Sequence, residues 1–308
     1  MDSRIVVVGS VNTDMIIQAE RIPRPGETVI GGEFSIAAGG KGANQAVAAA
    51  RAGGRVTLVA CVGDDVFGRQ SLDGFARDGI DIAHVRTDTD APSGVALIVV
   101  DDGGENSIAV ASGANARLTL DDVLAARDAI ASADVLVTQL ETPLATVRAA
   151  VELAVEHDVR VILNPAPARP LGKRILRLVS VLTPNETEAE LLTGIEVADD
   201  AAALAAAAER LHALGVQTVV LTLGSRGAFV FGGHQRELLP AFDVTPVDTT
   251  AAGDVFNGAL AVALAEGKAL SDAVRFANAA AALAVTTLGA QPSAPRREAI
   301  EQFLSRMS

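Results

Sequence analysis

Short runs of β-branched and aliphatic residues recur along the chain, and stretches with helical spacing separate them. The runs are IVVVG at 5–9, RVTLVACVG at 55–63, DVLVTQL at 134–140, VRVILNP at 159–165 and QTVVLTLG at 217–224. Their apolar character is continuous rather than alternating, which predicts strands buried on both faces. Strands alternating with helical stretches predict a mostly parallel central sheet with crossover helices, an α/β fold of three layers in the α/β/α order. Ala-rich blocks at 201–208 and 276–285 read as helices, because Ala has the highest helix propensity and polar residues such as Glu209 and Asn278 punctuate them.

Two stretches break this rhythm. Residues 14–35 and 93–112 each hold a pair of strand-like runs around a turn rich in Gly, Pro or Asp. Four such strands do not fit a βαβ repeat, and they predict a small sheet projecting from the main body, with Ile16, Val29, Ala96 and Ile98 among its apolar residues. A sheet that small cannot bury itself, so it must cover a site, pair with another subunit, or do both. Neither a linker nor an internal repeat divides the sequence, which reads as one domain, 1–308, with the lid strands inside 14–35 and 93–112.

The 308 residues are 49% hydrophobic, enough to build a core without disulfide or metal staples. A net charge of −13 repels phosphate backbones and anionic lipid, so neither nucleic acid nor a membrane surface is expected as a partner. Apolar runs are too short for a spanning helix, and the run at 5–8 is too short for a signal peptide. With Cys61 alone in an apolar strand, a buried thiol and a cytoplasmic protein are the expectation. The four histidines, His84, His157, His212 and His234, are scattered and read as surface or loop residues.

Four segments carry chemistry. GGKGAN at 39–44 stands before a helical run, where glycines permit close backbone approach and a helix N-terminus favours oxygen-rich groups. It is not a Walker A loop, because Gly42 follows Lys41 where Ser or Thr is required. Nor is it a dinucleotide fingerprint, since no strand is expected to run directly into it. DTTAAGDVFNG at 248–258 puts a tight turn before a long apolar helix; the backbone amides of Ala251, Ala252 and Gly253 can form an anion hole, with Asp254 beside it as a general base. Asp254 could equally be an N-cap. In TPNETEAELLTG at 183–194, Asn185 and Glu188 share one helix face, which suits ordering water around Mg²⁺ and suits a capping box just as well. TLGSRGAFV at 222–230 places a glycine-rich loop at the end of a strand, the usual ligand position in an open α/β sheet.

Taken together, these segments resemble the ribokinase family of carbohydrate kinases, the phosphofructokinase-B type. GGKGANQAVAAARAG is similar to its first signature, DTTAAGDVFNGAL to its second, TPNETEAE to its N-x-x-E element and TLGSRG to its nucleotide loop, in the right order from about residue 4 to residue 306. Within the family, GSVNTDMI, RPGETVIGGEF, QLETPL, LNPAPARP and GAQPSAPRRE look like the ribokinase branch. Ala251 stands where many relatives outside that branch have Gly.

The unpaired edges and uncovered apolar face of the four lid strands predict a homodimer joined through them. The resemblance implies a ribokinase-like fold with a β-sheet lid and transfer of the ATP γ-phosphoryl group to O5 of D-ribose. It implies that Asn12, Asp14, Gly40, Lys41, Asn44 and Glu141 contact the sugar together with Asp254, and that Asn185, Thr222, Gly224, Ser225, Gly227, Gly253 and Asn278 surround ATP. It implies Mg²⁺, held through water by Glu188, and an activating K⁺ bound by Asp248, Thr250, Ala284, Thr287, Gly289 and Ser293. The alternatives are a kinase for deoxyribose, another sugar or a nucleoside, a catalytically silent sugar-binding protein, and an oxidoreductase, which lacks its glycine pattern. Missing Tyr and Trp disfavour the nucleoside.

Overall fold

The computed structural model describes residues 3–197, 200–233 and 235–307. Its main sheet has nine strands among the described residues, in the spatial order Gln235–Leu239, Ala228–Gly232, Thr218–Thr222, Val181–Leu182, Arg160–Leu163, Val135–Thr138, Arg4–Val8, Arg55–Gly63 and Asp81–Asp88. Seven neighbouring strands run parallel; Ala228–Gly232 and Gln235–Leu239 add an antiparallel edge. All five apolar runs lie in this sheet.

Each central strand feeds two cores. Ile5 and Val7 point into one layer with Ala46, Leu260 and Ala277, which belong to the helices Lys41–Arg51, Ala252–Ala265 and Leu270–Ala284. Val6 and Val8 point into the other, against Val147, Val151 and Ala207 of the helices Leu144–Glu156 and Ala201–Ala213. Period-2 side chains with both faces covered are what a continuous apolar strand requires. Cys61 is fully buried in this arrangement, and burial pushes its thiol up to about 11.

The second sheet is the lid, ordered Glu33–Gly39, Asn12–Ala19, Gly94–Asp101, Asn106–Ala111. Two expectations need correction. Its strands begin at Asn12 and reach Gly39, beyond the expected 14–35, and Val29 lies in the connection rather than on a strand. A strand does run directly into the GGKGAN segment, but it is this antiparallel lid strand, so the helix start is not the first turn of a βαβ unit.

Register sorts the lid residues by face. Asp14 lies opposite Ala37 and Ala96, while Met15, on the reverse face, lies opposite Ile36 and Leu97. On that reverse face Ile17, Phe34, Ile36 and Leu97 are exposed, between 43% and 61% each. Among the described residues no helix is long and apolar enough to cross a membrane.

Strand Arg4–Val8 lies at the topological switch point: one connection leads to Arg55–Gly63 on one side, and Val135–Thr138 pairs on the other. Ligands bind at the carboxyl ends of strands at such a point. Ser10, Gln139, Asn164, Thr183 and Thr222 all sit at those ends.

Candidate active site

The helix Lys41–Arg51 starts hard against the segment that follows strand Arg4–Val8. A Cβ on Gly42 would lie 2.5 Å from the Ser10 amide nitrogen, and one on Gly40, where φ is +88°, would lie 2.6 Å from the Asn12 amide nitrogen. Only glycine permits this approach. It brings the Lys41 amide to Glu141, donating to Oε2 at 3.0 Å, and the Ser10 hydroxyl donates to the same oxygen. Asn12, 4% exposed, accepts from Asn115 Nδ2 at 2.8 Å. Asn12, Glu141, Val110 and Arg169 help line a cavity of about 390 Å³ between the lid and the main body.

Asp254 lies in the first turn of helix Ala252–Ala265, whose N-cap is Ala251, so Asp254 does not cap it. Its Oδ2 accepts from Asn44 Nδ2 at 3.0 Å and its Oδ1 from Gln45 Nε2 at 2.9 Å. Ala251 is left-handed, with φ 59°, one of two non-glycine residues with positive φ among those described. That turn aims the first amides of the helix into a cavity of about 840 Å³, which Ala251, Ala252, Gly253 and Asp254 line. In this turn Ala252 N–H donates to the Thr249 carbonyl at 3.3 Å, while among the described residues the amides of Ala251, Gly253 and Asp254 have no backbone acceptor. Free amides at a helix N-terminus favour an anion.

The same cavity gathers the residues expected around a nucleotide. Asn185, Thr222, Gly224, Ser225, Gly227 and Asn278 all line it. Gly227 adopts φ +98°, and a Cβ there would lie 2.1 Å from the Leu239 carbonyl oxygen. Asn278 is buried rather than on an exposed helix face; its Nδ2 donates to the Leu239 and Pro240 carbonyls, both at 3.2 Å. Asn185 and Glu188 do form a capping box: Asn185 Oδ1 accepts from the Glu188 amide at 2.8 Å, and Glu188 Oε2 from the Asn185 amide at 2.9 Å. Glu188 nonetheless lines the cavity beside Lys41, so capping and facing a ligand are compatible.

Lys41 joins the two cavities electrically. Asp254 foremost raises its pKa, burial opposes the shift, and Glu141, Glu188 and Asp14 add to it, so the ammonium stays charged. Burial, with Glu141 and Asp254 nearby, pushes the Asp14 carboxyl up to about 6, and Lys41 offsets part of this. A Cβ on Gly39 would lie 2.2 Å from Asp14 Oδ2, so glycine there leaves room for the Asp14 carboxylate in its observed position. Burial also raises the Glu188 carboxyl, against the Asn185 amide and Lys41. Several acids around one cation in a cleft mark a functional site.

Asp248 ties two loops. Its Oδ1 accepts from the Thr250 amide at 2.9 Å and its Oδ2 from the Gly289 amide at 2.8 Å, while the amides of Val247 and Asp248 both donate to the Val285 carbonyl. Burial works to raise the Asp248 carboxyl, but the Thr250 and Gly289 donors outweigh it and hold it below the usual carboxylate range. Thr287 returns to the Ala284 carbonyl, and buried Ser293 donates to Ala290 at the end of the short helix Ala290–Ser293. These bonds tie Asp248 to the 285–289 segment, while the Ser293 hydroxyl bonds within its own short helix.

Sequence reasoning did not single out Ser10, Gln45, Gln139, Asn164, Thr183 or Asn257. Amides and hydroxyls at strand ends carry no periodic signal; only their meeting in space reveals them. No described histidine lines either cavity: His84 lies on an edge strand, His157 follows a helix, and His212 meets the Val216 carbonyl and the Phe231 ring. His234 lies outside the described residues.

The chain matches the pfkB family of carbohydrate kinases over residues 2–297. It is 46% identical over 304 residues to a ribokinase of Haemophilus influenzae, covering 99% of both chains. A deoxyribokinase of Salmonella typhi is 38% identical, covering 98% of each. A structure of the Arabidopsis thaliana ribokinase complexed with ribose and ATP superposes with a TM-score of 0.91 at 33% identity, covering 99% of each chain. Agreement of sequence over its whole length, of a nine-stranded sheet with a lid, and of a carboxylate beside a helix start lining a cleft makes this chain a member of the pfkB family of carbohydrate kinases.

Proposed function

We propose that this protein transfers the γ-phosphoryl group of ATP to O5 of D-ribose, giving D-ribose 5-phosphate and ADP. The observation that carries the reading is buried Asp254, 5% exposed, held by Asn44 and Gln45 beside the free amides of Gly253 and Asp254. The full-length likeness to ribokinases, one complexed with ribose and ATP, supports it. Asp254 accepts the O5 proton as the O5–P bond forms and the bond from P to the ADP oxygen breaks. The amides of Gly253 and Asp254 stabilise charge on the equatorial phosphoryl oxygens, with Ala251 setting their direction. Lys41, drawn by Asp254 and Glu141, spans the sugar and phosphate sides.

On the sugar side, Asn12, Asp14, Gly40, Asn44 and Glu141 take the ring hydroxyls. A buried polar set rejects analogues that leave its groups unpaired. On the nucleotide side, Asn185, Thr222, Gly224, Ser225, Gly227 and Asn278 surround ATP, and closure of the lid excludes water.

The donor set also fits two cations. Glu188, buried against the nucleotide cavity, keeps an oxygen that the capping box does not use and suits the hydration shell of Mg²⁺. Bound Mg²⁺ supplies neutralisation of phosphate charge. The oxygens of Asp248, Thr250, Ala284, Thr287, Gly289 and Ser293 suit a monovalent ion such as K⁺, which supplies preorganisation of the 251–254 turn. The exposed outer lid face supports a homodimer, and use of ATP with a reduced buried thiol supports a cytoplasmic location.

A panel of D-ribose, 2-deoxy-D-ribose, D-fructose and adenosine with ATP and Mg²⁺ tests the reading, with products identified by ³¹P NMR. Ribose should have the highest kcat/KM and yield the 5-phosphate. Preference for deoxyribose would move the protein to the deoxyribokinase reading that the Salmonella typhi relative favours, and no transfer to any acceptor would leave the sugar-binding reading.

A further inference from the structure

Asp254 is one terminus of a closed run of buried side chains that leads back to its own turn. Gln45, fully buried, spends one amide hydrogen on Asp254 Oδ1 at 2.9 Å and the other on Asn164 Oδ1 at 3.1 Å. Asn164 Nδ2 donates to the Thr183 carbonyl at 3.1 Å, the Thr183 hydroxyl to Asn257 Oδ1 at 2.7 Å, and Asn257 Nδ2 to the Gly253 carbonyl at 2.8 Å. Every member is 7% exposed or less. From behind, Gln139 Nε2 donates to Gln45 Oε1 at 2.6 Å, so the Gln45 amide has only one orientation that satisfies all its partners.

We infer that Gln45 is a positioning residue for phosphoryl transfer: it locks the Asp254 carboxylate in register with the 251–254 turn, and Gln139 sets its orientation. The inference rests on the kinase reading above. Its physical basis is that Asp254 has to meet two demands at once, reaching the acceptor hydroxyl with a free lone pair and keeping its place relative to the amides that stabilise the phosphoryl group. Asn44 and Gln45 hold one lone pair on each oxygen from neutral donors that cannot supply a proton. Neutral donors fix the carboxylate without protonating it, and the charge of Lys41 acts on Asp254 through space rather than through one of these bonds. Because the circuit closes on the Gly253 carbonyl, a shift of the base is felt by the turn and the reverse. Two glycines permit the arrangement: a Cβ on Gly258, one helical turn after Asp254, would lie 2.7 Å from the Gln45 carbonyl oxygen, and one on Gly9 would lie 2.2 Å from Gln139 Oε1.

The test uses the full-length protein with ribose and MgATP. Gln45→Met keeps the length of the side chain and removes both donors. It should lower kcat by about 10- to 100-fold, the scale of a misplaced reacting group, with ribose KM changed by no more than about 2-fold. In an Asp254→Asn background the same substitution should change the residual rate by less than about 2-fold, since coupled residues are not additive. Gln45→Glu sets a carboxylate against Asp254, and should move the acidic limb of the kcat profile up by about one pH unit or more. Gln139→Met leaves both Asp254 contacts in place but frees the Gln45 amide to turn; it should lower kcat several-fold at an unchanged thermal midpoint, and it decides the matter should Gln45→Met not fold. Wild-type kcat in either folded Met variant, an equal loss in the Asp254→Asn background, or an unmoved pH profile in Gln45→Glu would overturn the role. Failure of the wild-type protein to phosphorylate ribose would instead overturn the kinase reading, so the two failures are distinguishable.

Discussion

Substituting Gly258 by Ala tests whether the crossing of two helices sets the chemistry. Helices Lys41–Arg51 and Ala252–Ala265 approach at this residue, where an added Cβ would meet the Gln45 carbonyl oxygen at 2.7 Å and the Ala49 amide nitrogen at 2.8 Å. Ordinary contact begins near 3.4 Å, so 2.7 Å leaves a shortfall of 0.7 Å. Both atoms are backbone and cannot rotate aside, so the helices must separate. Two effects oppose each other in stability: replacing a mid-helix Gly by Ala gains up to about 1 kcal/mol of propensity, while overpacking costs about 1–3 kcal/mol. The net is a loss of about 1 kcal/mol, and the thermal midpoint should fall by only about 2 °C.

Activity should fall much further. If Gln45 carries the whole separation, its 2.9 Å bond to Asp254 lengthens to about 3.6 Å, beyond the reach of a hydrogen bond. A displacement of that size at the base should cost about 10- to 100-fold in kcat. Steady-state kinetics with ribose, alongside calorimetric melting, reads both quantities. A folded Gly258→Ala protein with wild-type kcat would refute the reasoning, because the clash would then have been absorbed without reaching Asp254.

Asp254→Asn should fold with a normal melting profile and lose roughly 100-fold or more in kcat, the scale of a lost general base; near-normal turnover would reduce Asp254 to a structural residue. Asp14, pushed up to about 6 by burial and its acidic neighbours, should protonate as the pH falls through 6, weakening its acceptance of sugar hydroxyls, so ribose KM should rise there in wild type and stay flat in Asp14→Asn. The stability sign is opposite to that of a salt-bridged acid: the folded pKa lies above the ordinary 3.8, so the ligand-free protein should lose stability as pH rises from about 4 to 6, and Asp14→Asn should flatten that slope in urea titrations. Replacing K⁺ by tetramethylammonium at equal ionic strength should reduce wild-type activity and hardly affect Asp248→Ala, and indifference of the wild type would remove the cation site. Sedimentation should find a dimer at micromolar concentration that Phe34→Asp, on the outer lid face, dissociates; a wild-type monomer would count against lid pairing.

Much of this was legible in the chain itself. The continuous apolar runs required strands covered on both faces, and with helices between them only a parallel, three-layer sandwich satisfies that requirement. The lid was visible as strands too few and too turn-rich for a crossover. The glycine segments and Asp254 stood out because close backbone approach and a carboxylate at a helix start are local properties of a few consecutive residues. Val29 and the lid boundaries were misjudged for a related reason: β-propensity marks residues that suit a sheet, but pairing decides which ones join it; Asn12 pairs with both Gly39 and Gly94, and Gly39 enters through Asn12.

What tertiary structure alone decided is how the segments share partners. Spacing could not separate a capping box from a ligand site at Asn185 and Glu188, and in space Glu188 serves the cap while facing the cavity. Asp254 could have been a cap until the fold made Ala251 the cap and set Asn44 and Gln45, more than two hundred positions away, on its two oxygens. The Gln45 circuit draws on five separate stretches of chain, and none of its amides or hydroxyls has a pattern with its neighbours in sequence. Hydrogen-bond partnership is short-ranged and directional, so it is fixed by ångström-scale proximity, and proximity between distant segments exists only once the sheet has ordered its strands.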